Sequence, residues 1–208
     1  VAPTAGRPDR PAQVRAAHPF PGLLQLMSPA IGLRILGVAL ISQVLHVNAT
    51  VLPLIVTGQA GGRPDDIGAI VGLVAGLEVV FMFFWSHVTR RLHLTRALLV
   101  TAALYLCYLG TLALASATWQ VYAASVVAGF AAAGIISLPI SYLLDLIRDR
   151  PGLSASLIAV NMFLGGALGA TIFAAGTALG GYGTAALLSG AAGVLGAGLL
   201  VALERKFR

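Results

Sequence analysis

The chain has 208 residues, of which 58% are hydrophobic before its 25 glycines are counted, and only 10% are charged. A soluble domain is about 45–50% apolar with glycine included and about 25% charged, so this composition excludes a soluble globular protein, a disordered chain and a collagen-like fibre. The net charge of +6 does not indicate nucleic acid as a partner, because the basic residues lie in short runs between long apolar segments. We therefore predict an integral membrane protein.

The first 28 residues differ in composition from the rest of the chain. They hold five prolines, three arginines and few large apolar residues, which is typical of a flexible, extended linker. We expect residues 1–28 to be cytoplasmic, either as a bare amino-terminal tail or as the linker from a preceding domain.

Six apolar segments follow, each long enough to cross a bilayer as a helix of about 20 residues. They are predicted at 31–57, 68–88, 97–116, 119–144, 154–178 and 182–203. The breaks near Thr118 and at 180–183 are very short, which predicts antiparallel helical hairpins there. The fold class predicted is an all-α membrane protein in which residues 29–204 form a six-helix transmembrane bundle, followed by a basic cytoplasmic tail at 205–208.

The basic residues predict the orientation of the spans, because lysine and arginine are retained in short cytoplasmic loops. With six spans, twelve of the 13 basic residues fall on one side of the membrane and Arg63 alone falls on the other. Both termini are therefore predicted to be cytoplasmic. The twelve residues on that side are Arg7, Arg10, Arg15, Arg34, Arg90, Arg91, Arg96, Arg148, Arg150, Arg205, Lys206 and Arg208.

Two segments carry small residues at four-residue spacing, a pattern through which transmembrane helices approach each other closely. The second segment has Gly68, Gly72 and Gly76, and the fifth has Gly165 and Gly169. The simplest interpretation is helix packing within the bundle, and the alternative is a dimer or sliding interface. We expect the second and fifth segments to pack against each other.

Glu78 lies near the centre of the second segment, where a carboxylate costs about 2.5–3.5 kcal/mol on insertion scales. A residue of this kind faces the bundle interior or a water-filled cavity. Glu78 is therefore predicted to be a protonatable functional residue. The alternative is a neutral glutamic acid that hydrogen-bonds a neighbouring helix and has only a structural role.

Four further polar side chains lie at a similar depth. Gln43, His46 and Asn48 belong to the first segment, and Asn161 belongs to the fifth. Together with Glu78 they are predicted to line a mid-membrane cavity whose hydrogen-bond donors and acceptors suit a neutral polyol. For each residue alone, an interhelical hydrogen bond is the alternative.

The sequence holds no GxSxG, HExxH or P-loop motif, so we predict no enzyme. Cys107 is the single cysteine, which excludes an intrachain disulfide and a cysteine-based metal site, and we expect it to be a small core side chain. No metal or cofactor is predicted. Trp85 and Trp119 fall near segment ends and are predicted to anchor the chain at the membrane interface.

The sequence is similar to a known family, and one stretch carries the similarity most clearly. A proline–aspartate loop leads into a glycine-stepped segment containing GLVAGLE, from Gly72 to Glu78, and a basic loop follows. This arrangement resembles the eighth helix and following loop of major facilitator transporters, in particular bacterial sugar efflux transporters. The resemblance covers nearly all of residues 23–203. Its other matching positions are Leu52-Pro53-Leu54, Asp145-Leu146, Arg150, Gly152, Leu157 and Gly165.

The resemblance implies that the six segments are helices seven to twelve, the carboxy-terminal half of a major facilitator fold in a bacterial inner membrane. Residues 1–28 would then be the central cytoplasmic loop. A gating role is implied for the charged residues Arg90, Arg91, Arg96, Asp145 and Arg150. The basic loop departs from the family pattern, because it lacks the usual aspartate and has His93 where glycine is expected.

The implied function is export of sugars or similar small polar solutes by alternating access, coupled to protons. The implied partners are the lipid bilayer and a missing amino-terminal six-helix half. One alternative is multidrug efflux within the same superfamily, which the aromatic content of 7% disfavours. Another is a six-span assembly or binding subunit that transports nothing alone.

Overall fold

A computed structural model describes residues 28–147 and 151–206. Most of the predicted linker, Arg150 and the last two residues of the predicted tail lie outside these ranges. The described part of the chain forms five α-helices and no strand. They are α1 (Pro29–Gly58), α2 (Pro64–Val88), α3 (Leu94–Ala113), α4 (Thr118–Leu146) and α5 (Pro151–Lys206). By length and composition, all five are able to cross a membrane.

The first two helices begin at residues suited to a helix start. Pro29 opens α1, and the Ser28 hydroxyl accepts a hydrogen bond from the backbone N–H of Ile31 at 3.4 Å. Pro64 opens α2, and the Asp66 carboxylate accepts a hydrogen bond from the backbone N–H of Arg63 at 2.8 Å. Proline at the first helical position needs no hydrogen-bond partner, and the side-chain acceptors satisfy N–H groups that the helix leaves free.

α5 covers both the fifth and the sixth predicted segments, but it is interrupted at the predicted break. Gly180 and Gly181 have non-helical backbone angles, and Gly181 has φ of 82°, which glycine adopts without the strain that a side chain would cause. A Cβ atom added to Gly176 would lie 2.3 Å from the Cα of Ala185. Residues on the two sides of the break are therefore in direct contact, and we name the two parts the first arm (151–179) and the second arm (182–206).

The first arm packs against α1 through its small residues. A Cβ atom at Gly165 would lie 3.5 Å from the backbone nitrogen of Gln43, and one at Gly169 would lie 3.5 Å from the side chain of Val47. The first arm and α1 are therefore parallel. This contact differs from the expected packing of the second segment on the fifth.

The second arm packs against α1 in the opposite direction. A Cβ atom at Gly193 would lie 2.8 Å from Val44, and one at Gly196 would lie 2.6 Å from the carbonyl oxygen of Gly37. The second arm and α1 are therefore antiparallel. The two arms thus run in opposite directions along α1, and the chain reverses at Gly180–Gly181.

α2 packs chiefly against α4, and here two predictions are wrong. A Cβ atom at Gly129 of α4 would lie 2.7 Å from the Cβ of Leu77. Further along the same seam the Trp85 indole donates a hydrogen bond to the carbonyl of Phe130 at 2.8 Å. Trp85 is only 2% exposed, so it is a core residue of this seam and not an interfacial anchor. The α2–α5 packing expected from the glycine spacing is replaced by this α2–α4 seam.

The glycine stripe of α2 faces away from the bundle. Cβ atoms added to Gly68, Gly72 or Gly76 would meet no described atom within 4 Å. The reason is rotational, since Gly72 lies about 140° around the helix from Leu77, which packs on α4. Within the described residues these glycines do not mediate helix packing.

α3 lies between α4 and the second arm. Its buried face carries Tyr105, Tyr108 and Leu109, each no more than 2% exposed. Cys107 lies about 200° around the helix from Tyr105 and is exposed, so the expectation that it is a core side chain is wrong.

Candidate functional site

Glu78 lies at the edge of the packed face of α2. It is half-buried, whereas the next two residues, Val79 and Val80, are 60% and 63% exposed. The adjacent Leu77 packs on α4, which turns the Glu78 side chain toward the border between the bundle and the uncovered face of α2.

Two tyrosines of α3 connect that helix to α1. The rings of Tyr105 and Tyr108 make an edge contact, with centroids 5.3 Å apart. The Tyr108 hydroxyl donates a hydrogen bond to Oδ1 of Asn48 at 3.0 Å. The tyrosine pair thus lies beside Asn48 and joins α3 to α1. Sequence reasoning missed these tyrosines, and their three-residue spacing within an apolar segment was the available signal.

The side-chain amide of Gln43 is hydrogen-bonded within the bundle. Its amide nitrogen donates to the carbonyl of Ser189 at 2.8 Å and to the carbonyl of Leu40 at 3.2 Å. Its amide oxygen accepts from the Ser189 hydroxyl at 3.0 Å. Because both N–H groups and the oxygen are engaged and the residue is fully buried, Gln43 fastens α1 to the second arm.

Gln43→Leu is expected to lower the free energy of unfolding by about 1–2 kcal/mol, because it leaves the Ser189 hydroxyl and carbonyl without their partner in a buried seam. Thermal unfolding of the detergent-solubilised chain would measure the effect. Thr171→Val is the control, since the exposed Thr171 hydroxyl bonds only to carbonyls of its own helix. Equal stability of the two variants would contradict a fastening role for Gln43.

His46 and Asn161 meet through a shared neighbour, Ser42. The amide nitrogen of Asn161 donates to the Ser42 hydroxyl at 3.0 Å, and Nδ1 of His46 lies 3.3 Å from the Ser42 carbonyl. Asn161 is 4% exposed, and its Oδ1 has no hydrogen-bond partner in the described part of the chain. His46 is exposed and lies beside Gly166 and Gly169, where the absence of side chains leaves room for the imidazole.

The five residues predicted to share one cavity are divided between two sides of α1. His46 and Asn161 lie at the seam with the first arm, and Asn48 points to the tyrosines of α3. The cause is geometric. Asn48 follows His46 by two positions, so their side chains point about 200° apart around the axis of α1. A single cavity lined by all five residues is therefore not formed within the described part of the chain.

α1 carries a line of polar residues, which we call the polar stripe. It consists of Ser42, His46 and Thr50, spaced four residues apart on one face. Ser42 is half-buried, and His46 and Thr50 are exposed. The Thr50 hydroxyl donates to the carbonyl of His46 at 3.3 Å, so the imidazole is the group of the stripe most open to a ligand. Lipid chains offer no hydrogen bonds to such a face.

The charged residues of the implied gating loop lie at one end of the bundle. Arg90 and Arg91 are exposed in the turn between α2 and α3, and Asp145 lines a cavity of about 380 Å³ between helix ends. In that cavity the Thr95 hydroxyl donates to the Glu204 carboxylate, and His93 lies 4.0 Å from the same group. The polar residues of its lining are Arg34, His93, Thr95, Tyr142, Asp145 and Glu204. Sequence reasoning used Arg34 only for topology and missed Glu204.

The described residues thus form an all-helical bundle of long apolar helices, compatible with a multi-pass membrane protein. Comparisons of the chain with protein-family models, with curated proteins and with solved structures found no match. Its function is therefore inferred from its own residues and their placement.

Proposed function

We propose that the chain is the carboxy-terminal half of a secondary active transporter that exports sugars or similar small polar solutes by alternating access. The observation that carries the proposal is the polar stripe of α1, which lies in the middle of an apolar helix and on which His46 and Thr50 stay exposed in the described chain. In such transporters the substrate site lies near the bilayer midplane between two helix bundles. The stripe would face that site, and the missing amino-terminal half would close it.

Six spans with cytoplasmic termini are part of this proposal. The reversal at Gly180–Gly181 supports counting the two arms of α5 as separate spans. The distribution of basic residues supports the orientation, and a bacterial inner membrane is the location that the family resemblance implies.

The residues divide into proposed roles. His46 and Asn161 would contact the solute, since one is exposed on the polar stripe and the other has an unpartnered buried oxygen beside it. Glu78 would bind and release the coupling proton, since it is the half-buried carboxyl group in the middle of α2, and Asn48 would contribute a further polar group on α1. Arg90, Arg91, Arg96 and Asp145 would act at the cytoplasmic end as the cavity opens and closes.

Inside-out vesicles containing the full-length protein test the proposal. We expect an imposed proton gradient to drive uptake of one or more radiolabelled sugars from a panel, and a protonophore to abolish the uptake. The 208-residue chain alone is expected to be inactive in liposomes, because half of the site would be absent. Uptake of lipophilic cations but of no sugar would favour the multidrug alternative.

The uncovered glycines of α2 support one other candidate, a six-span assembly subunit. Gly68, Gly72 and Gly76 present a surface on which a second helix could approach closely. Two copies of the chain paired through this surface would be an assembly without transport of its own. Cross-linking of a cysteine placed at Gly72 between two copies in liposomes would favour this candidate.

A further inference from the structure

A narrow groove lies at the charged end of the bundle, between the start of α3 and the end of the second arm. It adjoins the larger cavity described above and shares three residues with it. The groove is lined by His93, Thr95, Arg96, Val201, Glu204 and Arg205. None of the proposed transport steps uses Arg205 or Val201.

The groove carries an excess of positive charge. Arg96 and Arg205 are exposed, and each side chain ends in a cationic guanidinium group. The groove also contains one carboxylate, that of Glu204, which accepts a hydrogen bond from Thr95 and lies 4.0 Å from His93. Two permanent cations therefore face one carboxylate that is already engaged.

The helix ends add to this field. Arg96 lies in the first turn of α3, where the helix dipole is positive and a cation is unfavourable. An anion in the groove would compensate both the guanidinium and the amino-terminal end of α3. The environment thus favours a negatively charged ligand with several oxygen acceptors, and arginine suits phosphate in particular.

An uncovered apolar surface extends from the groove toward the centre of the bundle. On α3, Val100 and Cys107 follow Arg96 on the same face, and Val100 is 45% exposed. On the second arm, Leu195, ten residues before Arg205, is 71% exposed. A ligand bound in the groove by its charged end would have acyl chains beside this surface, which a soluble anion does not need.

We propose that the groove binds the phosphate of an anionic phospholipid, with Arg96 and Arg205 as its main contacts. Basic pockets between transmembrane helices on the cytoplasmic side are suited to such headgroups. A zwitterionic headgroup is the weaker ligand, because its own cation would lie near two guanidinium groups. The inference depends on insertion of the helices in a membrane and not on the transport activity proposed above.

The native cysteine offers a direct test. Cys107 is exposed on the same face as Arg96 and about 16 Å further along α3, near the middle of an acyl chain. A fluorophore on Cys107 of the full chain would be quenched by lipids brominated midway along their acyl chains. We expect brominated phosphatidylglycerol to quench more strongly than brominated phosphatidylcholine at equal mole fraction. No difference between the two lipids would overturn the proposal.

Variants and a soluble competitor locate the site. Arg96→Gln and Arg205→Gln are each expected to reduce the preference for phosphatidylglycerol about fivefold. Arg90→Gln removes the same charge from the neighbouring turn and is expected to leave the preference unchanged. An equal loss in that control would show diffuse surface attraction, and displacement of the lipid by millimolar inorganic phosphate would assign the groove to a soluble anion. Either result would overturn the proposal.

Discussion

Glu78→Gln is expected to abolish proton-driven sugar uptake by the full-length protein in inside-out vesicles, reducing it to the level of vesicles without the protein. Glutamine keeps the size and hydrogen bonding of a protonated glutamic acid but has no proton to release. Exchange of labelled for unlabelled sugar requires no net proton movement, so we expect the variant to retain it. The difference between uptake and exchange separates a coupling defect from a binding defect.

Glu78→Asp is the matched variant for this measurement. It retains a titratable carboxyl at the same position of α2, and we expect it to retain part of the proton-driven uptake. If the glutamine variant were coupled like the wild type, Glu78 would have no part in the mechanism. The half-buried position of Glu78 would then be only structural.

Gly176→Ala is expected to destabilise the bundle by about 3 kcal/mol or more, at or above the upper end of ordinary overpacking. The added methyl group would lie 2.3 Å from the Cα of Ala185, and a backbone atom cannot move away as a side chain can. The contact holds the two arms of α5 together next to the reversal at Gly180–Gly181. Thermal unfolding of the detergent-solubilised chain measures the loss.

Gly72→Ala provides the control for that substitution. The same methyl group there would meet no described atom within 4 Å. Alanine in a helix is favoured over glycine by about 1 kcal/mol, so we expect this variant to be equally or slightly more stable. If Gly176→Ala were as stable as Gly72→Ala, the close contact between the arms would be absent and the reversal would be wrong.

The positions of the helices were accessible from the sequence because charged residues, prolines and turn residues mark their ends. Pro64 opens α2 beside the aspartates of the predicted break, and Thr118 opens α4 at the predicted short turn. The non-helical residues Gly180 and Gly181 fall within the break predicted at 180–183, and they lie inside the range of α5.

The packing was not accessible in the same way, because the helices are apolar on every side. Nothing in the sequence around Gly72 shows that Leu77 packs on Gly129 of α4 while the glycines face outward. Trp85 near a helix end is typical of an interfacial anchor, and only its burial and its hydrogen bond to Phe130 show that it is a core residue.

The candidate site was predicted only in part, because a sequence shows the type of a residue but not its partners. An unusual residue in an apolar segment is visible by type, which is how Glu78, His46 and Asn161 were found. Tyr105 and Tyr108 resemble ordinary apolar residues until their partners are known. Gln43 was as conspicuous as His46, and only its bonds to Ser189 show that its polar groups are engaged within the bundle.

The proposed transport path requires the polar stripe of α1 to face water in the middle of the membrane. Labelling with a membrane-impermeant thiol reagent in the full-length protein tests this directly, with Thr50→Cys in a Cys107→Ser background compared with the native Cys107. Both positions are exposed, and Cys107 lies fewer residues from its helix end than Thr50 does. We predict that the cysteine at position 50 reacts and Cys107 does not. An unreactive cysteine at position 50 would contradict an aqueous cavity along α1, and with it the proposed transport path.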